Sequence, residues 1–95
     1  MDKILVTGSS GFIGKKIMKR LDKSKVITDS NNSERIDLQN REQVMKLDSA
    51  EMVIHLGGKT PQKELKWSEY FDNNVIGTLN VLEYCIQKKV KKMIY

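Results

Sequence analysis

Val6-Thr7-Gly8-Ser9-Ser10-Gly11-Phe12-Ile13-Gly14 sets three glycines at three-residue spacing directly behind an apolar run. Glycine costs roughly 1 kcal/mol relative to alanine inside a helix, so three so close together need a backbone reason. Upstream, residues 3–7 read as a short strand buried on both faces. Downstream, Ile13, Ile17 and Leu21 recur every fourth residue and predict a helix over 12–21, with Asp22 ending it. Residues 25–29 predict a second strand. Strand, glycine turn, helix, strand is the context in which such glycines cradle a pyrophosphate. Gly8 then allows the tight turn, Gly11 lets backbone approach the phosphates, and Gly14 lets helix and strand pack closely. The helix opening at Phe12 and Ile13 supplies free N–H groups and a positive dipole end, and Ser9 and Ser10 can add hydroxyl donors. Asp29, ending the second strand, is placed either to accept from ribose hydroxyls and repel a 2′-phosphate, or to serve the turn as a local acid. Arg35 nearby weakens the contrast between NAD and NADP.

The rest of the chain keeps the alternation. Residues 30–35 are turn formers and predict a polar loop. Asn40 can cap a short helix beginning at Arg41, with Gln43 three residues on and Val44 and Leu47 inward. Residues 52–56 read as a third buried strand closed by Gly57-Gly58, and Pro61 marks a loop. From Trp67 or Ser68 to Lys88, the recurrence of Phe71, Val75, Leu79, Leu82 and Ile86 at three and four predicts the longest helix. Asn73, Asn74 and Gly77 are poor helix formers in its middle. Residues 92–95 begin a fourth strand. Alternating strands and helices imply parallel pairing through right-handed crossovers.

Ninety-five residues allow one domain, and 39% apolar with 31% charged residues suits a globular one. The single cysteine, Cys85, excludes an internal disulfide, no metal-ligand cluster is evident, and a reducing cytoplasmic setting is expected. The apolar start is too short for a signal peptide, and no run approaches the ~18 apolar residues of a membrane span. The net charge is +5, but only Lys88, Lys89, Lys91 and Lys92 cluster, without interleaved aromatics. That is a solvated helix end rather than a nucleic-acid patch.

These segments together resemble the extended short-chain dehydrogenase/reductase family, in its NAD-dependent epimerase/dehydratase branch. Thr7-Gly8-Ser9-Ser10-Gly11-Phe12-Ile13-Gly14 is similar to its Thr-Gly-x-x-Gly-x-x-Gly signature. Asp37-Leu38 resembles the step whose carboxylate and following backbone contact adenine, though Asp37 can also simply cap a turn. His55-Leu56-Gly57-Gly58 is similar to the His-Leu-Ala-Ala segment beside the ribose and nicotinamide, with glycines for the usual alanines. Lys59 just beyond meets either phosphate or solvent. Asn74-Val75-Ile76-Gly77-Thr78-Leu79-Asn80 is close to the family's Asn-Val-x-Gly-Thr-x-Asn helix, in which Asn74 is structural or supports the reacting site. The match runs from residue 3 to residue 95.

The resemblance implies a Rossmann-like three-layer α/β fold with a parallel sheet, first half only, strands ordered 3-2-1-4. Residues 1–95 would be a partial NAD(P)-binding domain without the catalytic half or substrate domain. The family's Tyr-x-x-x-Lys is missing from its expected place; Tyr84 and Lys88 have the spacing but precede the fourth strand. The cofactor contacts implied are Gly8, Ser10, Gly11, Phe12, Ile13, Gly14, Asp29, Asp37, Leu38, Leu56, Gly57, Gly58, Lys59 and Asn74, with NAD preferred to NADP. Two functions stay open: the NAD-binding part of a nucleotide-sugar epimerase or dehydratase, or a non-enzymatic dinucleotide-binding or interaction module. The fourth strand, left as a sheet edge, invites pairing with a second copy.

Overall fold

Strand β1 (Ile4–Thr7) is buried along almost its whole length, as its apolar run requires. The computed structural model describes residues 3–31, 34–57 and 66–95. β1 leads through the glycine turn into α1 (Phe12–Met18), then a 3-10 turn at Lys23–Lys25 and β2 (Val26–Thr28). A two-residue hairpin follows, β3 (Ser30–Asn31) against β4 (Glu34–Arg35), where a loop was expected. Next come α2 (Arg41–Met45), β5 (Met52–His55), α3 (Trp67–Phe71), a wide π-type stretch at Asp72–Ile76, α4 (Gly77–Gln87) and β6 (Lys92–Ile94). Asn40 caps α2 as expected, accepting from the Gln43 N–H at 3.2 Å. The Gln43 side chain reaches back further than a capping box needs and accepts from the Asp37 N–H at 2.7 Å.

The parallel Rossmann-like sheet is present, but its strand order differs from the expected 3-2-1-4. It runs β2-β1-β5-β6, or 2-1-3-4 when its strands are counted along the chain. Leu5 pairs with Ile27 on one side and with Val53 on the other. The reason is burial. A central strand is covered on both faces and flanked on both sides, so the two most apolar strands take the centre. β2 is half-buried throughout, and β6 exposes Lys92 and Ile94, so these form the edges. Residues 29–51 include α2, which is ample chain to cross beneath β1. The chain thus steps one way from β1 to β2 and the other way from β2 to β5. Right-handed crossovers in opposite directions put α1 on one face and α2 and α4 on the other. The core on the second face joins Leu5 and Val53 to Val44 of α2 and to Val81 and Tyr84 of α4. The fully buried Tyr84 hydroxyl donates to the Asp48 carbonyl, and burial pushes its pKa up to about 12. Arg41 forks onto Glu83 and ties α2 to α4 at the surface.

One helix expectation is corrected. α1 stops at Met18 rather than Leu21, and Ile13 at its start is exposed. The apolar recurrence of the long helix points outward. Phe71, Val75, Leu79, Leu82 and Ile86 are all exposed, Ile86 by 78%. The buried positions of α4 are Gly77, Asn80, Val81 and Tyr84. The helix lies too close to the chain beneath it for large residues at its upper end.

Candidate functional site

The glycine turn sits where β1, β2 and β5 end together. Gly8 adopts φ +73°, and a side chain there would meet the Leu56 carbonyl group at 2.6–2.7 Å. Its carbonyl accepts from the Gly11 N–H at 3.1 Å. A side chain at Gly14 would stand 2.0 Å from that same Gly8 oxygen, so α1 can pack on the turn only with glycine there. Gly8 and Gly14 therefore serve the chain itself.

Gly11 is different. Among the described residues, a side chain there would meet only the Gly8 oxygen, at an ordinary 3.4 Å, and then open space. Gly11 is the cap residue of α1 and has no side chain to cap the helix's first N–H groups, and no acid lies in its first turn. The space above Gly11 is a cradle that a side chain would fill and an anion would fit. Phe12 and Ile13 open the helix and are exposed, with the Lys16 ammonium 4.3 Å above the Phe12 ring. Ser10 is exposed beside them.

Asp29 is buried, 4% exposed, and its carboxylate turns toward the turn. One oxygen accepts from the Gly8 N–H at 2.8 Å and the other from the Ser9 hydroxyl at 3.1 Å. It is thus the acid that shapes the glycine turn. The oxygen facing the Ser9 hydroxyl also takes the Ser9 N–H at 3.5 Å, so it is the Gly8-facing oxygen that keeps a further acceptor position for a ribose hydroxyl.

Asp37 and Leu38 lie beyond the hairpin. The Asp37 carboxylate accepts from the Gln39 N–H at 2.9 Å, so it does cap a turn. Leu38 is 8% exposed, and its side chain belongs to the core. A side chain on Gly57 would lie 2.6 Å from Leu38 Cδ1, and one on Gly77 would lie 3.3 Å from Leu38 Cβ. The mid-helix glycine and the glycine after β5 both make room for Leu38.

An open cleft of about 180 Å³ is lined by His55, Leu56, Gly57, Asn74, Thr78 and Tyr95. Asn74 reaches it from the π-type stretch, an irregularity frequent at functional sites. Gly58 and Lys59 lie outside the described residues. Sequence reasoning missed the arrangement under the cleft. The Gly57 N–H donates to Thr7 Oγ1 at 3.0 Å, Thr7 Oγ1 lies 2.5 Å from His55 Nδ1, and His55 Nε2 lies 2.9 Å from Thr78 Oγ1. These partners are 48 and 23 residues apart in sequence, beyond any local pattern. A neutral ring carries one proton, so it donates to one of these two hydroxyls and accepts from the other. Burial lowers the His55 pKa, and the Asp29 charge opposes this more weakly. A depressed histidine pKa means that protonation favours the unfolded chain. The stabilisation is complete above the unfolded value of about 6.5 and is lost as pH falls through it. The urea midpoint should therefore drop between about pH 7.5 and about pH 5.5, and drop less in His55→Gln. Parallel profiles for the two chains would refute the neutral-ring assignment. Among the described residues, no cluster of histidine, cysteine and acids could hold a metal ion, and no helix is long and apolar enough to cross a membrane.

Residues 4–95 match the NAD dependent epimerase/dehydratase family. A UDP-glucose 4-epimerase of Pisum sativum is 31% identical over 124 aligned positions, covering 98% of this chain and 35% of the relative. A dTDP-D-glucose 4,6-dehydratase of Dictyostelium discoideum is 29% identical, covering 100% of this chain and 28% of the relative. Among solved structures, a UDP-glucose 4-epimerase of Thermus thermophilus in complex with NAD superposes with TM-score 0.78 at 26% identity, over 98% of this chain and 36% of that one. The chain spans about a third of the length of these relatives.

Proposed function

The chain belongs to the NAD dependent epimerase/dehydratase family, and from that premise we propose that it is the part of a nucleotide-sugar oxidoreductase that holds the adenosine and pyrophosphate of NAD. The observation that carries this reading is the open position above Gly11 at the uncapped start of α1. There the pyrophosphate would meet backbone N–H groups and the positive end of the helix. The ribose would meet Asp29, adenine the Asp37–Leu38 step, and the nicotinamide side the Leu56–Gly57 turn near Asn74. Bound NAD supplies hydride chemistry; the residues here bind and orient it. A reducing, cytoplasmic setting suits the free thiol of Cys85, whose pKa burial raises.

Calorimetric titration with NAD and NADP tests this. NAD should saturate, and NADP should bind at least about tenfold more weakly, because the Asp29 charge faces the 2′-phosphate. No saturation by either dinucleotide removes the reading, and tighter NADP removes the role of Asp29. Turnover on adding the segment that follows this stretch in the relatives would favour an enzyme part. Binding without such restoration would favour a non-enzymatic module. A second copy pairing along the β6 edge belongs to the same proposal, and a monomer in light scattering at high concentration removes that part alone.

A further inference from the structure

We propose that Asn80 is a positioning residue that couples the two halves of the dinucleotide site through Leu38. The proposal rests on the cofactor reading above and deepens it. Asn80 is 8% exposed, and its amide donates to the Leu38 carbonyl at 2.8 Å, with both groups buried. The other bonds at this step are local. Asp37 is tied by its N–H to Gln43, by its carbonyl to the Asn40 N–H, and by its carboxylate to the Gln39 N–H. Those bonds shape the turn relative to α2. The Asn80 bond fixes the step relative to α4, 42 residues away.

Leu38 passes that placement on. Its Cδ1 packs against Gly57, whose N–H is in turn fixed by Thr7. On the cofactor reading the Asp37–Leu38 step lies on the adenine side, and Gly57, which lines the cleft, lies on the nicotinamide side. A shift of Leu38 must therefore move both. α4 gives up helix propensity at two positions for this contact, with glycine at 77 against Leu38 Cβ and asparagine at 80 on its carbonyl. A helix selected only to pack would carry alanine or leucine there.

The test uses the 95-residue chain, ADP as a probe of the adenine half alone, and backbone amide spectra with hydrogen exchange. Asn80→Leu keeps the bulk and removes the donor, leaving the Leu38 carbonyl buried and unpaired. Gly77→Ala keeps Asn80 and presses on Leu38 Cβ, while a better helix former preserves α4. In the wild type, ADP should shift the Gly57 amide although ADP does not reach it. In both variants the ADP dissociation constant should rise about tenfold, and the Gly57 response should vanish. Without ligand, Gly57 exchange should quicken about tenfold in Asn80→Leu while Leu5 and Val53 stay protected.

ADP affinity within about twofold of wild type, with the Gly57 response intact, overturns the coupling. Equal acceleration at Leu5, Val53 and Gly57 also overturns it, since that is general loosening. If the wild type fails to bind ADP, the cofactor reading falls, and the ligand-free exchange alone decides the coupling. If Asn80→Leu does not fold, Gly77→Ala decides.

Discussion

Gly14→Ala will lower the thermal midpoint by about 12–24 °C, because the added methyl has no place to go. It would lie 2.0 Å from the Gly8 oxygen and 2.9 Å from Gly8 C and Ser9 Cα. All three are backbone atoms, so no side chain can rotate aside. α1 must lift away from β1, or the turn must abandon its Gly11–Gly8 hydrogen bond and the Asp29 contacts that depend on its shape. Overpacking a close site costs about 1–3 kcal/mol, and a backbone obstruction stands at the upper end. At about 4–8 °C per kcal/mol for a domain of this size, about 3 kcal/mol gives the stated shift. The whole margin of such a chain is only about 5–14 kcal/mol, at about 0.05–0.15 kcal/mol per residue. A melting curve followed by circular dichroism measures this. A loss under about 4 °C would mean that α1 slides off the turn at little cost, and that Gly14 is not the packing residue described.

What the sequence revealed was local, and what it hid was relational. The strand–glycine–helix–strand order was legible because each element has its own periodicity and the glycines interrupt it. The cap at Asn40 was legible for the same reason. Strand order was not, because apolar runs identify strands without naming their neighbours. Only relative burial, with β1 and β5 outranking β2 and β6, decides the centre. Which way the long helix faces was hidden for a related reason. Four-residue spacing detects an apolar stripe but not the direction it faces. The inward face carries Gly77 and Asn80 because Leu38 lies against it, and small or polar residues make no hydrophobic pattern. The glycine turn was legible as a motif, yet the motif does not separate its glycines. Gly8 and Gly14 are required by neighbouring backbone, and Gly11 by nothing among the described residues. Asp29 was placed correctly along the chain, but its first partners, the Gly8 N–H and the Ser9 hydroxyl, lie about twenty residues back and leave no local trace.

That difference makes Gly11→Val the sharpest experiment on the site. The folded chain should tolerate valine. Position 11 is exposed, its φ of −75° and ψ of 176° suit a β-branched residue, and its only near neighbour is the Gly8 oxygen at 3.4 Å. The thermal midpoint should move by no more than about 4 °C, as for an ordinary surface change. Binding should respond quite differently. The isopropyl group would occupy the space above the first turn of α1, where an anion would approach the free N–H groups. A pyrophosphate kept even ~1 Å further out loses direct hydrogen bonds to backbone donors, each worth about 1.5–3 kcal/mol when the acceptor is charged. Losing one of them predicts NAD binding at least about tenfold weaker, and losing two at least about a hundredfold, read by the same calorimetry as the wild type. The pairing of the two glycine variants gives the result its force. Gly14→Ala should damage the fold, and any loss of NAD binding should follow the unfolded fraction. Gly11→Val should leave the fold intact and remove binding alone. If Gly11→Val binds NAD within about tenfold of wild type, the phosphates do not lie over Gly11, and the cradle read from the turn is not the cofactor's seat.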